Sequence, residues 1–205
     1  PMITSCSPGW VKFCEHYYPD MLENMSSCKS PQQMYGALMK TYYAKNEGLD
    51  PKDMFVASVM PCTAKKFEIT RDHQAASGYP DLDASITTRE LADMIKEAGI
   101  VFEELPDGEF DPAFGVASGA GHIFGATGGV MEAALRTVAE VVTGKPLEKV
   151  DFHAVRGVDG IKEAEYELNG TVVKVAVVSG LSNAKKLLDM VKSGEKEYHF
   201  IEIMA

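Results

Sequence analysis

No stretch of this 205-residue chain approaches the roughly 18 to 20 consecutive apolar residues that a bilayer-spanning helix needs. No leader with basic, apolar and small-residue segments opens it either. No membrane span is expected, and the cytoplasm is the expected compartment, with the periplasm still open. Positive charge is in short supply, since 20 Lys+Arg against 30 Asp+Glu leave a net charge of −10. That balance disfavours nucleic acid or an anionic lipid surface as the main partner. Cysteine is sparse as well: Cys6, Cys14, Cys28 and Cys62 form no CxxC, which argues against a disulfide scaffold and a local zinc knuckle. The five histidines, His16, His73, His122, His153 and His199, make no HExxH. There is no GxSxG elbow and no Gly-Lys-Ser/Thr phosphate loop.

With 45% hydrophobic residues, the chain can bury a substantial core. The opening "PMITS", Pro1 to Ser5, reads as a strand stub, and Pro8 suits the first turn of a helix through "WVKFCEHYY". A second helix runs through "SPQQMYGALMKTYYAKNEG", with Ser30 as N-cap, Pro31 at its first position and Gly48 as its stop. Met34, Leu38 and Tyr42 share one face of it. "MFVASVM" is a short apolar run that fits a strand covered on both faces. Residues 83–87 read as another strand, followed by a helix opened by a capping box at Thr87 and Glu90, with Leu91, Met94 and Ile95 as its stripe.

"SGAGHIFGATGG" feeds a long helix ending near Gly144. Its glycines suit either backbone approach to a ligand or close helix packing. Glu163, Glu165 and Glu167 alternate with apolar residues before Asn169-Gly170, which predicts a hairpin near 163–178. A last helix, "SNAKKLLDMVKSG", precedes a strand at "YHFIEIM". The sum is an α/β chain with mixed and parallel sheets flanked by helices. No linker or repeat divides 1–205, so one compact unit is expected, with two packed lobes as its finer form. The start at Pro1 and the apolar close suggest cuts through a longer protein.

In "VMPCTAKKFE", Cys62 lies just past a strand's carboxyl end, where open α/β sheets gather ligands. Lys65 is near enough to favour the thiolate that binds iron. Spacing alone favours the plainer account, in which Cys62 is a small core residue and Lys65 and Glu68 are a solvated i,i+3 pair. The same core reading holds more strongly for Cys14 and Cys28.

"TSCSPGW", "MPCTAKKFE", "SGAGHIFGATGGVMEAALR" and "HFIEIMA" together resemble the catalytic domain of the [FeFe]-hydrogenases. The likeness is collinear over essentially the whole chain, "VRGVDGIKEAE" included, and it overturns the core reading of Cys62. It implies two α/β lobes around an H-cluster, a [4Fe-4S] cubane joined through a cysteine to a two-iron unit with CO, cyanide and a dithiolate. The implied reaction is reversible reduction of two protons to H₂, with electrons from a ferredoxin or accessory iron–sulfur domains. By motif, Cys62 matches a cubane ligand, Lys65 the donor to a cyanide, and Glu68 its charge partner. Gln32, Met60 and Phe124 match pocket residues, Gly125 a place of close backbone approach, and Met204 belongs to the closing motif. Cys6 matches the proton donor facing the distal iron, and Ser26 a hydroxyl on the proton route.

The chain departs from the family pattern twice. Ser7 stands where the common motif has a second cysteine, a cubane ligand, so the ligand is weakened or reassigned to Cys6. The motif that would follow Met204-Ala205, with two further cysteines, lies beyond the sequence. The chain by itself is therefore expected to hold no intact H-cluster and to evolve no H₂, while its parent is an active hydrogenase. The alternative is a non-catalytic hydrogenase-like iron–sulfur protein used in cluster assembly or sensing.

Overall fold

A computed structural model describes residues 1–111, 113–115, 118–146, 153–154 (backbone only) and 159–205. Most of "VRGVD", one of the stretches carrying the resemblance, and the side chain of His153 lie outside the described residues. The chain divides into two compact units, residues 1–28 with 117–205 and residues 29–116.

In the first unit, β1 (Met2–Ile3) leads through a four-residue turn into α1 (Pro8–Tyr17), which Pro8 opens as the sequence predicts. Its sheet has the order β1-β7-β6-β5-β4. The other strands are β4 (His153–Ala154), β5 (Ile161–Leu168), β6 (Thr171–Ser179) and β7 (Phe200–Met204). β7 lies parallel to both β1 and β6, while β5 pairs antiparallel with β6 and with β4. The β5–β6 hairpin closes as expected, with positive φ at Asn169 and Gly170, the demand of a type I′ turn.

Period-two alternation splits the sheet's side chains between two cores. Ile161, Ala176, Val178, Ile201 and Ile203 pack with Trp10 and Cys14 of α1 and with Leu187 and Leu188 of α8 (Leu181–Lys192). On the opposite face Ala164, Val175 and Val177 meet Met131 and Leu135 of the long helix Gly129–Thr143. Each fully buried Leu or Ile side chain contributes about 1.5–3 kcal/mol, so these two layers hold the unit together.

The 29–116 unit is organised the other way round. Its first helix, α2 (Pro31–Leu38), continues through a π turn at Met39–Tyr43 into α3 (Ala44–Glu47) and stops at Gly48, φ +67°. Met34, Leu38 and Tyr42 do share a face, but all are exposed, while Gln32, Gln33, Gly36 and Lys40 are buried. Gly36 is required by contact, because a Cβ there would lie 2.4 Å from the Asp81 carbonyl oxygen.

β2 (Ala57–Met60) and β3 (Ala84–Thr87) form a parallel pair with Ser58 opposite Ser85. The expectation that "MFVASVM" is covered on both faces fails: Phe55 and Val59 are exposed, and the buried residue of β2 is Ser58. Among the described residues β2 pairs with β3 alone, and the side chain it buries is polar.

α4 (Ala64–Glu68) follows β2, and α5 (Thr88–Glu97) follows β3. The capping box is present: the Glu90 backbone N–H donates to Thr87 Oγ1 and the Glu90 carboxylate accepts from the Thr87 backbone. Met94 of the expected stripe is exposed, and α5 has no buried residue.

Lys66 donates to the Glu90 carboxylate, and this bond, with those from Thr87, holds its pKa down at about 2 against an ordinary 4.5. A depressed folded pKa means a stabilising contribution present above pH 4.5 and lost as pH falls towards 2. The thermal stability gap between the wild type and Glu90→Gln should close over that window. A gap that stays constant in melts from pH 6 to 2.5 would sink this assignment.

Candidate functional site

β2 delivers Met60 to the end of its two-stranded sheet, and Pro61 turns the chain so that Cys62 precedes α4. Cys62 and Met60 are half-buried. The first turn of α4 is closed by the Lys65 N–H donating to the Cys62 carbonyl, 3.3 Å. Three residues apart on this short helix, Lys65 and Glu68 pair at 3.1 Å, with side chains only 12% and 7% exposed. They are thus not the solvated pair that spacing alone favours.

Glu68 Oε2 also accepts from Ser30 Oγ at 2.9 Å and from Gln32 Nε2 at 2.5 Å. Ser30 stands at the N-cap position, yet its hydroxyl caps nothing in its own helix and turns to Glu68 instead. Gln32 completes the link to the sheet, since its Oε1 accepts from Ser58 Oγ at 2.8 Å, and Ser58 Oγ lies 2.9 Å from Ser85 Oγ. A buried ammonium is tolerated only with such a partner, and a buried carboxylate only with its lone pairs occupied. The structure therefore brings together Gln32, Met60, Cys62, Lys65 and Glu68 at one end of β2. It adds Ser30, Ser58 and Ser85, which sequence reasoning missed. The available signal was a serine in the middle of an otherwise apolar strand.

In the first unit, the turn after β1 is fixed by backbone and side-chain bonds. Trp10 Nε1 donates to the Thr4 carbonyl at 3.0 Å, and Thr4 Oγ1 accepts from the Ile203 N–H at 3.1 Å. Cys6 is half-buried in this turn. Ser7 is 4% exposed, and its hydroxyl donates to the Ala205 carbonyl at 3.0 Å while accepting the Ala205 N–H at 3.3 Å. Ser26 lies beside β1, its N–H donating to the Ile3 carbonyl, and its hydroxyl accepts from the Cys28 N–H at 3.2 Å. Ser5 Oγ binds the Cys28 carbonyl.

Cys28 itself is exposed, contrary to the core reading. Cys14 is the core thiol expected: it is fully buried, donates to the Tyr18 carbonyl, and is pushed up to about 11 by burial, then by Asp20 and Glu15. Met204 is half-buried at the end of β7, its carbonyl accepting from the Gly180 N–H at 2.7 Å.

The glycine-rich stretch is a short helix, α6 (Gly119–Ile123), followed by a turn into α7 (Gly129–Thr143). Phe124 is 42% exposed in this turn. At Gly125 a Cβ would meet, among the described residues, only the His122 carbonyl oxygen, at 3.4 Å, whereas at Gly129 it would fall 1.8 Å from the Ile123 carbonyl oxygen. Close helix packing therefore explains Gly129.

The N-terminus of α7 is capped from another element, because Gly128 has no side chain to offer. Glu202, fully buried on β7, accepts from the Gly128 N–H at 2.9 Å and the Met131 N–H at 2.6 Å. Burial raises its pKa, and the two N–H groups oppose the rise. Glu202 is a further residue that sequence reasoning missed, although an acid between two isoleucines of a strand is a visible signal.

The family described as "Iron only hydrogenase large subunit, C-terminal domain" matches residues 1–205, and the chain belongs to it. Iron hydrogenase 1 of Clostridium pasteurianum is 56% identical over all of this chain, which covers 36% of that protein. The solved HydA(ΔEFG), a structure reporting stepwise assembly of the [FeFe]-hydrogenase H-cluster, superposes with a TM-score of 0.87 at 44% identity, covering 100% of this chain and 59% of that one. A cytosolic Fe-S cluster assembly factor, narfl of Xenopus tropicalis, is 32% identical over the whole chain, which spans 44% of it. The chain thus spans about a third to three fifths of these relatives. The α/β fold with mixed and parallel strands is that of the [FeFe]-hydrogenases. No helix among the described residues is long and apolar enough to cross a membrane.

Proposed function

We propose that this chain forms the cluster-holding part of an [FeFe]-hydrogenase that interconverts two protons and two electrons with H₂. The observation that carries the reading is the Lys65–Glu68 pair held out of water beside Cys62 by Ser30 and Gln32. A half-buried thiol at a strand's carboxyl end next to a buried, oriented ammonium is the donor set an anionic metal cluster needs. Cys62 holds the cubane through its thiolate, and Lys65 donates to an anionic ligand of the two-iron unit. Gln32 and Met60 line the site within the 29–116 unit, while the pocket roles of Phe124, Gly125 and Met204 rest on their match to the family motifs. When bound, the H-cluster supplies the redox chemistry between protons and H₂.

Cys6 holds and releases the proton at its Sγ, and Ser26 relays protons towards it. A thiol titrates near enough to neutrality for the first task, and a hydroxyl both donates and accepts for the second. Electrons come from a ferredoxin or an accessory iron–sulfur domain. Ser7 does not fit the role of a ligand, because its hydroxyl is committed in both directions to the backbone of Ala205.

Ser7 favours a second reading, a hydrogenase-like iron–sulfur protein without the two-iron unit. The test is anaerobic reconstitution of the full-length polypeptide with iron, sulfide and a synthetic two-iron complex. Iron analysis, infrared spectroscopy of bound CO and cyanide, and an H₂ assay follow. The hydrogenase reading expects infrared bands and turnover in the wild type, and loss of cubane iron, bands and turnover in Cys62→Ala. Iron without bands in the wild type supports the second reading, and bands undiminished in Cys62→Ala overturn the assignment of that thiol.

A further inference from the structure

We propose that Ser58, backed by Ser85, is a positioning residue for Lys65, acting through Gln32 and Glu68; this rests on the reading of Lys65 as the donor of the site. The hydrogens available in the buried run of contacts set its polarity. Gln32 Oε1 can only accept, so the hydrogen between it and Ser58 Oγ, 2.8 Å away, belongs to Ser58. Ser58 has no second hydrogen, so at 2.9 Å it accepts from Ser85. The orientation of Gln32 is itself fixed by Glu68: its Nε2 faces Glu68 Oε2, because the reverse would set an amide oxygen against a carboxylate, and its Oε1 therefore faces the serine.

The far end of the chain is the Lys65 ammonium, 3.1 Å from the same Glu68 oxygen. The rotamer of Glu68, and through it the place of the ammonium, is thus set from a two-stranded sheet in which Ser58 and Ser85 face each other in register. Both serines are buried, so neither hydroxyl is replaced by bulk solvent when removed. Ser58→Ala strands Gln32 Oε1 in a buried place. A buried acceptor without a partner is unfavourable enough for the amide to turn in search of one, releasing its hold on Glu68.

The experiment reads Lys65 directly in the 205-residue chain. Competitive acylation with limiting reagent, quantified by peptide mass spectrometry, gives the Lys65 rate relative to that of exposed Lys162. Ser58→Ala should raise the relative rate by about fivefold, the factor that one hydrogen bond of ordinary strength represents. Ser85→Ala should raise it less, and Ser58→Thr, which keeps the hydroxyl, should stay within about twofold of wild type. Glu68→Gln, which removes the charge partner, sets the upper limit.

A Ser58→Ala rate equal to wild type while Glu68→Gln is accelerated overturns the proposal. So does a Glu68→Gln rate that never moves. If Ser58→Ala unfolds, all lysines accelerate together and Ser85→Ala alone decides. No iron enters this measurement, so the hydrogenase reading can fail with the positioning role intact, or the reverse.

Discussion

Asp83→Asn is expected to destabilise the 29–116 unit by about 3–5 kcal/mol, the cost of leaving a buried charge without its partner. The stranded group is Lys40, whose side chain is 1% exposed and whose ammonium lies 2.6 Å from Asp83 Oδ2. Asn keeps the shape of the side chain and an oxygen for the Val56 N–H, which donates to the same carboxylate at 2.7 Å. The substitution therefore isolates the charge. Urea denaturation at pH 7 measures it, and a loss below about 1 kcal/mol would falsify the claim that the Lys40 ammonium is held out of water, its partner Asp83 being 22% exposed. The double variant Lys40→Met with Asp83→Asn should recover most of the loss, because removing both charges removes the desolvation penalty with them.

This pair matters to the candidate site because of where it anchors the chain. Lys40 lies in the π turn that continues α2, and Asp83 immediately precedes β3. Through Val56 the same carboxylate also grips the approach to β2. One ion pair thus fixes the helix that carries Ser30 and Gln32 against the strands that carry Ser58, Met60 and Ser85. Lys29 makes a parallel contact, since its ammonium reaches Asp81 at 2.8 Å and also binds the carbonyl of His73 and the side chain of Gln74. The unit has a polar interior stitched by named pairs, where the first unit has two apolar layers.

That difference marks the boundary of what the sequence discloses. α1, the capping box at Thr87, the Asn169-Gly170 turn and the stop at Gly48 are readable because their causes lie within a few residues. Apolar periodicity also places β6 and β7 correctly, since both faces of their sheet are covered by helices. The same rule misleads at "MFVASVM" and at Met34, Leu38 and Tyr42, where the apolar side faces outward and the polar side is buried.

At the candidate site, motif likeness picks out Cys62, Lys65 and Glu68, yet no local pattern names Ser58 or Ser85 as their support. Nor does it show the destination of the Ser7 hydroxyl, which pairs with a residue 198 positions away. Long-range hydrogen bonds between short polar side chains leave no periodic trace in a sequence. An isolated polar residue in an apolar run is the one mark they do leave.

Glu202 carries that mark in "FIEIM", and its replacement has the second of the two largest expected effects. Glu202→Ala removes the acceptor from two buried N–H groups and opens a cavity between β7 and α7, together worth about 3–5 kcal/mol. Gln at this position keeps the volume but turns a donor towards one of the two N–H groups, so it should fall between Ala and wild type. Hydrogen exchange locates the effect: the amides of Gly128 and Met131 should lose protection first, ahead of the rest of α7.

The pH dependence provides an independent check with a definite sign. Burial lifts the Glu202 pKa above its ordinary 4.5, so between those two values the folded chain binds more protons at this group than the unfolded chain. Its contribution to stability therefore falls as pH rises through that window, opposite to the contribution of Glu90. Comparing wild type with Glu202→Gln from pH 4 to 7 isolates the slope. If the difference grows in favour of wild type as pH rises, the carboxylate is better stabilised by the two N–H groups than burial disfavours it. The end of α7, and with it the turn bearing Phe124 and Gly125, would then be held by a full charge.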